Sequence, residues 1–333
     1  MRRTRSHVMS FPCRPRRSFP CHPRRSFPCH PRRVEALYRV APVLQDHPMA
    51  KIADLIAAGP TLSFEFSAPR DPAGNERLER ALERLARLRP SFMSVTYGAG
   101  GSTRGPTAEV VSRIQHGLHI TGMPHLTCVA HTREEITTII DRYRDDGIEN
   151  LLVLHGDLPE GTVDVPTGHF HHAIDLAELV RQRGPFSVGV AAHPEGHPRA
   201  SSREDDLAHH AAKLAAADFA ITQFFFRVEH YERFVEELAK RGVRTPVIPG
   251  IMPPTNAEGV ARMSAANATE FPDEIRTRLE KAGNDVAARR EIGVDVATRL
   301  CEQLRRAGAP GVHLYTMNFA EASLGVVSAL GLR

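Results

Sequence analysis

FAITQFFFRVEHYERFVEELAKRGVRTPVIPGIM, residues 219–252, reads as strand, helix, strand. Its two ends, FAITQFFF (219–226) and PVIPGIM (246–252), are short apolar runs rich in β-branched and aromatic residues, and 229–241 between them has an amphipathic helical pattern. Strands that are apolar almost throughout suit a parallel sheet covered on both faces; a sheet with one wet face would alternate. The unit recurs along the chain. TLSFEFS (61–67), SFMSVTYG (91–98), HLTCVA (125–130), NLLVLHG (150–156), SVGVAAH (187–193) and GVHLYTMN (311–318) bring the strand candidates to eight. ERLERALERLARL (76–88) sets Leu78, Leu82, Leu85 and Leu88 on one helical face, and REEITTIIDRYRDDG (133–147) ends on a glycine suited to a C-cap. Similar helical stretches cover 173–183, 204–217 and 286–307.

Eight strands joined by short helical crossovers predict an α/β fold, a closed (β/α)8 TIM barrel rather than a doubly wound sheet. GAGGS (98–102) lacks the GxGxxG spacing and follows the second strand, which argues against a Rossmann domain. Residues 253–310 exceed one βα unit and predict two or three extra helices before the last strand.

Charge is divided unevenly. The formal +4 arises from residues 1–33, which hold ten arginines and no acid; the remainder carries 33 basic against 39 acidic residues. A nucleic-acid partner would therefore rest on the leader alone, and none is expected. SFPCRPRR (10–17) is followed by SFPCHPRR at 18–25 and 26–33. Proline and like charge at that density cannot support a core, so 1–48 is expected to be a disordered arm, or the product of a start assigned upstream of Met49. Residues 49–333 are expected to form one catalytic domain. No apolar run of 18 residues occurs, so no membrane-spanning helix is expected. Cys128 and Cys301, the two cysteines outside the repeats, make neither a disulfide framework nor a zinc site, and a reducing cytoplasm fits them.

In such a barrel chemistry gathers at the C-terminal ends of the strands. Polar residues that interrupt or end the apolar runs are therefore the candidates: Glu65, Thr96, Tyr97, His125, Asp157, His193, Gln223, Tyr315 and Asn318. Glu65 stands between Phe64 and Phe66. Apolar surroundings favour the protonated form of a carboxyl group, so this position suits a general acid. Asp157 sits at the tip of the fourth strand. HPEGH (193–197) is similar to a zinc-binding HExxH, but its proline and glycine break the helical face that motif needs. No metal is expected.

SFEFSAPR, SVTYGAGGSTR, PHLTC, HGDLP, AAHPEGHP, AITQFFF, VIPGIMP and HLYTMN occur in the order found in 5,10-methylenetetrahydrofolate reductases, and the chain resembles that family over about 50–333. The resemblance implies a barrel holding FAD, reduced by NADH or NADPH in a ping-pong reaction. The reduced flavin then converts methylenetetrahydrofolate to 5-methyltetrahydrofolate for methionine synthesis. It implies that Glu65 is the acid that protonates N10 and that Asp157 lies beside flavin and pterin. It also places Thr96, Tyr97, Ala99, His125, His155, Gly156, Asp157, His193, His197, Asp206 and Lys213 against the flavin. Gln223, Thr96 and Tyr315 are implied substrate contacts. A homo-oligomer is implied as well.

The chain departs from the pattern at several points. His155 stands where an arginine is common, His193 where a tyrosine covers the flavin, and His209 and Ala212 occupy two further flavin-side positions. Ala257 replaces a frequent phenylalanine, and Phe319 a frequent arginine, which leaves the folate's glutamate tail without its usual partner. Three alternatives stand beside the main reading. They are direct hydride transfer without flavin, a metal-dependent hydrolase using His125, His193, His197 and Asp157, and a folate-binding module without activity.

Overall fold

The computed structural model describes residues 50–98, 104–129, 131–156, 170 and 172–332. The 1–48 leader, Ala99 and Asp157 lie outside them. Nine parallel segments form the sheet: β1 (Thr61–Phe66), β2 (Phe92–Val95), β3 (Gly122–Thr127), β4 (Asn150–Leu154), β5 (Ser187–Ala192), β6 (Phe219–Thr222), β7 (Val247–Ile248), β8 (Gly250–Ile251) and β9 (Gly311–Tyr315). Their order is β7-β6-β5-β4-β3-β2-β1-β9-β8. The run PVIPGIM supplies both ends of that list. Pro249 has no N–H to continue a ladder, so the run breaks there. β7 pairs with β6 (Ile221 opposite Ile248) and β8 with β9 (Ile251 opposite Leu314). The carbonyl of Pro249 accepts the His313 amide at 3.0 Å. One covalent segment thus bridges the first and last strands of the series, and the (β/α)8 barrel closes.

The helices are α1 (Ile52–Ala58), α2 (Pro72–Ala86), α3 (Arg104–Ser112, extended by a π-helical turn over Arg113–Gly117), α4 (Arg133–Asp145), α5 (Ala173–Arg183), α6 (Arg203–Ala215), α7 (Val228–Lys240), α8 (Ala257–Asn267), α9 (Asp273–Lys281), α10 (Val286–Arg306) and α11 (Ala320–Ala329). Local chemistry starts several of them. Asp71 caps α2 through the Gly74 amide, Ser202 caps α6, and Thr132 with Glu135 forms a reciprocal capping box on α4. The expected extra layer is α8, α9 and α10.

Two apolar cores sit on opposite faces of the sheet. The larger fills the space between strands and helices. The smaller lies inside the barrel, where Phe92, Met123, Leu152, Phe219, Ile221 and Ile248 pack around Ile52 of α1. This helix closes the N-terminal end of the barrel. Its entry is fixed by buried polar contacts: the Ile52 amide donates to Asn150 Oδ1 (2.7 Å), Asn150 Nδ2 to the Ala50 carbonyl (3.0 Å), and the Ala53 amide to Ser187 Oγ (3.2 Å).

FAITQFFF is strand only through Thr222. Beyond it Phe224 and Phe226 join Met252, Val260, Phe271, Ile275 and Leu279 beneath α8 and α9. An apolar run signals burial, and burial under helices looks the same in sequence as burial in a sheet. The third strand begins at Gly122, earlier than HLTCVA suggests. Among the described residues no helix is long and apolar enough to cross a membrane. Cys128 and Cys301 are buried and unpaired, and burial pushes both thiols up to about 12.

Candidate active site

A polar layer lies above the apolar floor of the barrel, toward the C-terminal ends of the strands. Glu65 (β1) is opposite Ser94 of β2 and Tyr315 of β9. Its Oε2 lies 3.4 Å from His125 Nε2 (β3) and 3.6 Å from His313 Nε2 (β9). His313 is completely buried, stacked on Phe92, with Nδ1 2.8 Å from Ser63 Oγ and Nε2 3.3 Å from Ser94 Oγ. Tyr315 donates to the Thr222 carbonyl at 2.5 Å, and burial together with the nearby Glu65 keeps its hydroxyl protonated well above the usual range. Burial also holds His125 below the ordinary imidazole value, with Glu65 opposing that shift. A carboxyl group with two imidazoles within 4 Å, at the mouth of an apolar shaft, offers the kinds of side chain that general acid–base chemistry uses.

A second group forms where β5 meets α6. The His197 amide donates to Asp206 Oδ1 (3.3 Å), the His193 amide to His210 Nε2 (3.4 Å), and the His193 and His197 rings meet edge to face at 4.7 Å. Burial drives His193 down to about 3, His210 to about 2 and Lys213 to about 8. The histidine shifts set a sign for acid stability. On unfolding both imidazoles return toward 6.5. Below that pH the unfolded chain binds protons that the folded chain refuses, so stability falls as pH drops, by up to about 1.4 kcal/mol per pH unit for each. Urea unfolding at pH 7 and pH 5 is expected to show a loss of about 4 kcal/mol from this pair. A His210→Gln variant should show roughly half that dependence; a profile equal to wild type would mean that His210 is charged in the fold.

Gln223 follows β6 with its amide held at both ends: Nε2 donates to Asn267 Oδ1 (2.8 Å) and Oε1 accepts the Phe224 amide (2.9 Å). Gly156 follows β4 with φ +89°, and a Cβ there would come within 2.7 Å of Thr127 Cβ, so only glycine fits. His155 turns its Nδ1 to the Gly156 carbonyl (2.9 Å). Thr96 is half-buried and its carbonyl accepts Thr107 Oγ1 at 2.8 Å. Tyr97 is buried with its hydroxyl 3.4 Å from His131 Nε2. His209 and Ala212 are exposed on α6.

The structure therefore gathers Glu65, His125 and Tyr315 in one layer and His193, His197, Asp206 and Lys213 in another. Sequence reading missed His313, Ser63 and Ser94, which complete the Glu65 layer, and His210. The signal for His313 was present, a histidine inside the apolar run GVHLYTMN. Of the metal-hydrolase ligands, Asp157 lies outside the described residues, and His125, His193 and His197 form no cation-sized cluster among the described residues. Among the described residues the histidine and acidic donors close enough to share a cation are Glu195, His230 and Glu270. His230 Nε2 lies 3.5 Å from Glu195 Oε2 and 3.2 Å from Glu270 Oε2. Arg227 already binds Glu270 (2.8 Å) and Arg233 donates to His230 Nδ1 (3.3 Å), so positive charge is supplied by guanidinium groups and the cluster is an ion-pair network.

Fold and site together define a (β/α)8-barrel protein with a carboxyl flanked by two imidazoles at the barrel mouth. The family model for methylenetetrahydrofolate reductase matches residues 49–331, and the chain belongs to that family. It is 36% identical to the 5,10-methylenetetrahydrofolate reductase of Pectobacterium carotovorum over 275 residues, covering 82% of this chain and 90% of that protein. The enzyme of the same name from Salmonella typhimurium is 36% identical over 273 residues, 82% of this chain and 91% of that protein. Methylenetetrahydrofolate reductase (NADH) 1 of Arabidopsis thaliana is 35% identical over 298 residues, but this chain spans only 50% of its length. An uncharacterised Clostridium thermocellum protein that binds two copies of 5-methyl-5,6,7,8-tetrahydrofolic acid shares the fold. It superposes with a TM-score of 0.58 at 14% identity, covering 82% of this chain and 95% of that one.

Proposed function

We propose that this oxidoreductase reduces 5,10-methylenetetrahydrofolate to 5-methyltetrahydrofolate with electrons from NADH or NADPH, passed through FAD in two separate half-reactions. The observation that carries the reading is Glu65, an acid at the barrel mouth within 3.6 Å of two imidazoles, in a chain of this family. NADH is the donor in the name of the Arabidopsis relative.

The residues around the mouth suit a flavin. Among the described residues, buried atoms without a hydrogen-bond partner include Thr127 Oγ1, His193 Nδ1 and Asp206 Oδ2. Leaving such atoms unpaired is costly, and a ribityl chain and ring edge offer the alternating donors and acceptors they need. We assign His125, His193, His197, Asp206 and Lys213 to hold the cofactor, with Thr96, Tyr97, Ala99, His155, Gly156 and Asp157 as further contacts. Bound FAD would accept a hydride from the nicotinamide and return one to the folate.

The chain's own contribution is positional and protic. Glu65 protonates N10, which opens the five-membered ring and leaves the carbon electrophilic. His125 and His313, both within 3.6 Å, position its carboxyl for N10. Gln223, its amide already oriented, presents one remaining donor and one remaining acceptor to each substrate in turn. Asp157 orients the pterin, and Tyr315, Thr96 and the apolar floor exclude water from below.

The purified protein is expected to show flavin absorbance that bleaches with anaerobic NADH or NADPH and recovers on adding methylenetetrahydrofolate. A colourless protein that still forms 5-methyltetrahydrofolate would replace the flavin route with direct hydride transfer. A protein that forms no product under either condition would remove the reading.

A further inference from the structure

Phe319 is 55% exposed and Met317 50%, two of the few large apolar side chains in the open among the described residues. Both follow β9 at the barrel mouth. The turn that presents them is strained, with Met317 and Asn318 at φ 51° and 62°, and it is pinned in place. The Asn318 side chain accepts the Ser67 amide and donates to the Ser67 carbonyl, both at 2.9 Å, and Thr316 Oγ1 donates to the Glu65 carbonyl at 2.6 Å. Phe319 is thereby locked to the strand that carries Glu65. Four residues beyond Tyr315, it stands at most about 14 Å from that Cα.

The Arg77 guanidinium of α2 lies over this ring, 5.3 Å from its centroid. No carboxylate partner for Arg77 exists among the described residues, because the acids nearby are engaged. Glu321 pairs with Arg84, Glu76 with Arg80, and Asp71 caps α2. A guanidinium stacked on an aromatic face is held in orientation while its N–H edge stays free to grip a carboxylate with two bonds.

We propose that Arg77, supported by Phe319, receives the carboxylate of the folate's glutamate tail. The proposal rests on the reductase reading. N10, the atom at Glu65, is bonded to the benzoyl ring, and the glutamate leaves the far end of that ring. A folate seated with N10 at Glu65 therefore sends an aromatic segment and then an acid out through the mouth, past an exposed aromatic ring and then a waiting cation. The cation comes from α2, and the residue at 319 is its support.

The test measures methylenetetrahydrofolate kinetics with mono- and triglutamate tails, and equilibrium binding of 5-methyltetrahydrofolate against tetrahydropteroate, which lacks the glutamate. Arg77→Gln is expected to raise KM for the folate about tenfold while kcat and the KM for NADH stay within about twofold. It should also abolish the preference for the glutamate-bearing ligand. Arg77→Gln combined with Phe319→Arg should restore both. Arg80→Gln, on the exposed face of the same helix, is the control. Unchanged folate KM and unchanged ligand preference in Arg77→Gln would overturn the proposal. If the wild type turned over no folate, the reductase reading would fall, and the binding comparison alone would decide the role of Arg77.

Discussion

Glu65→Gln is expected to fold normally, to oxidise NADH with an artificial electron acceptor at the wild-type rate, and to lose folate reduction by about 10²–10⁴-fold. Glutamine is nearly isosteric, so the layer of Ser63, Ser94, His125 and His313 keeps its shape. What disappears is the ability to hand a proton to N10. The two half-reactions separate this role from any structural one, because only the folate step needs the acid. Stopped-flow reduction by NADH followed by reoxidation with methylenetetrahydrofolate gives both rates in one preparation. Equal loss in both halves would move Glu65 from proton donor to cofactor support, and undiminished folate turnover would remove it from the chemistry altogether.

Gly250→Ala is expected to be among the most disruptive single-methyl changes in the barrel. Gly250 opens β8, the segment whose pairing with β9 completes the ring. A Cβ there would run into the Thr222 carbonyl oxygen and come within 2.5 Å of the Tyr315 hydroxyl and 2.7 Å of its ring. None of these can yield cheaply. The Thr222 carbonyl accepts the Tyr315 hydroxyl, and Thr222 Oγ1 accepts the Gly250 amide at 2.9 Å. The strain should cost about 3 kcal/mol or more. A lowered urea midpoint with loss of folate activity is the expected outcome. A variant as stable as wild type would show that the closing segment can shift without harm.

The barrel was legible because its strands carry the signature of two-sided burial. Phe64, Leu151 and Val190 face helices while Phe92, Leu152 and Phe219 face the interior, and both sets must be apolar. Glu65 was legible for the complementary reason: a carboxylate between two phenylalanines has no place in such a strand without a task. The split at Pro249 was written in the sequence, yet nothing local says that the two halves of PVIPGIM face different neighbours. Helix α1 was missed because seven residues give too short a period, and Lys51 provides no side-chain cap. Helix α11, AEASLGVVSA, has almost no polar contrast to mark a face. Within the site, Gln223 was picked out by its break in an apolar run. Its fixed amide depends on Asn267, 44 residues away, and a contact of that range leaves no local trace.

The stopper at the foot of the barrel bears on the order in which the molecule is assembled. The segment around α1 leaves the ribosome before any strand, yet the groups that receive its backbone lie 71, 98 and 134 residues downstream, at Thr121, Asn150 and Ser187. It cannot seat until β5 has been synthesised and the neighbouring strands have come together. Closing loops of that length delays a contact without weakening it once made. The first helix among the described residues is thus a late arrival in the native state, a tether that waits for the floor it will seal.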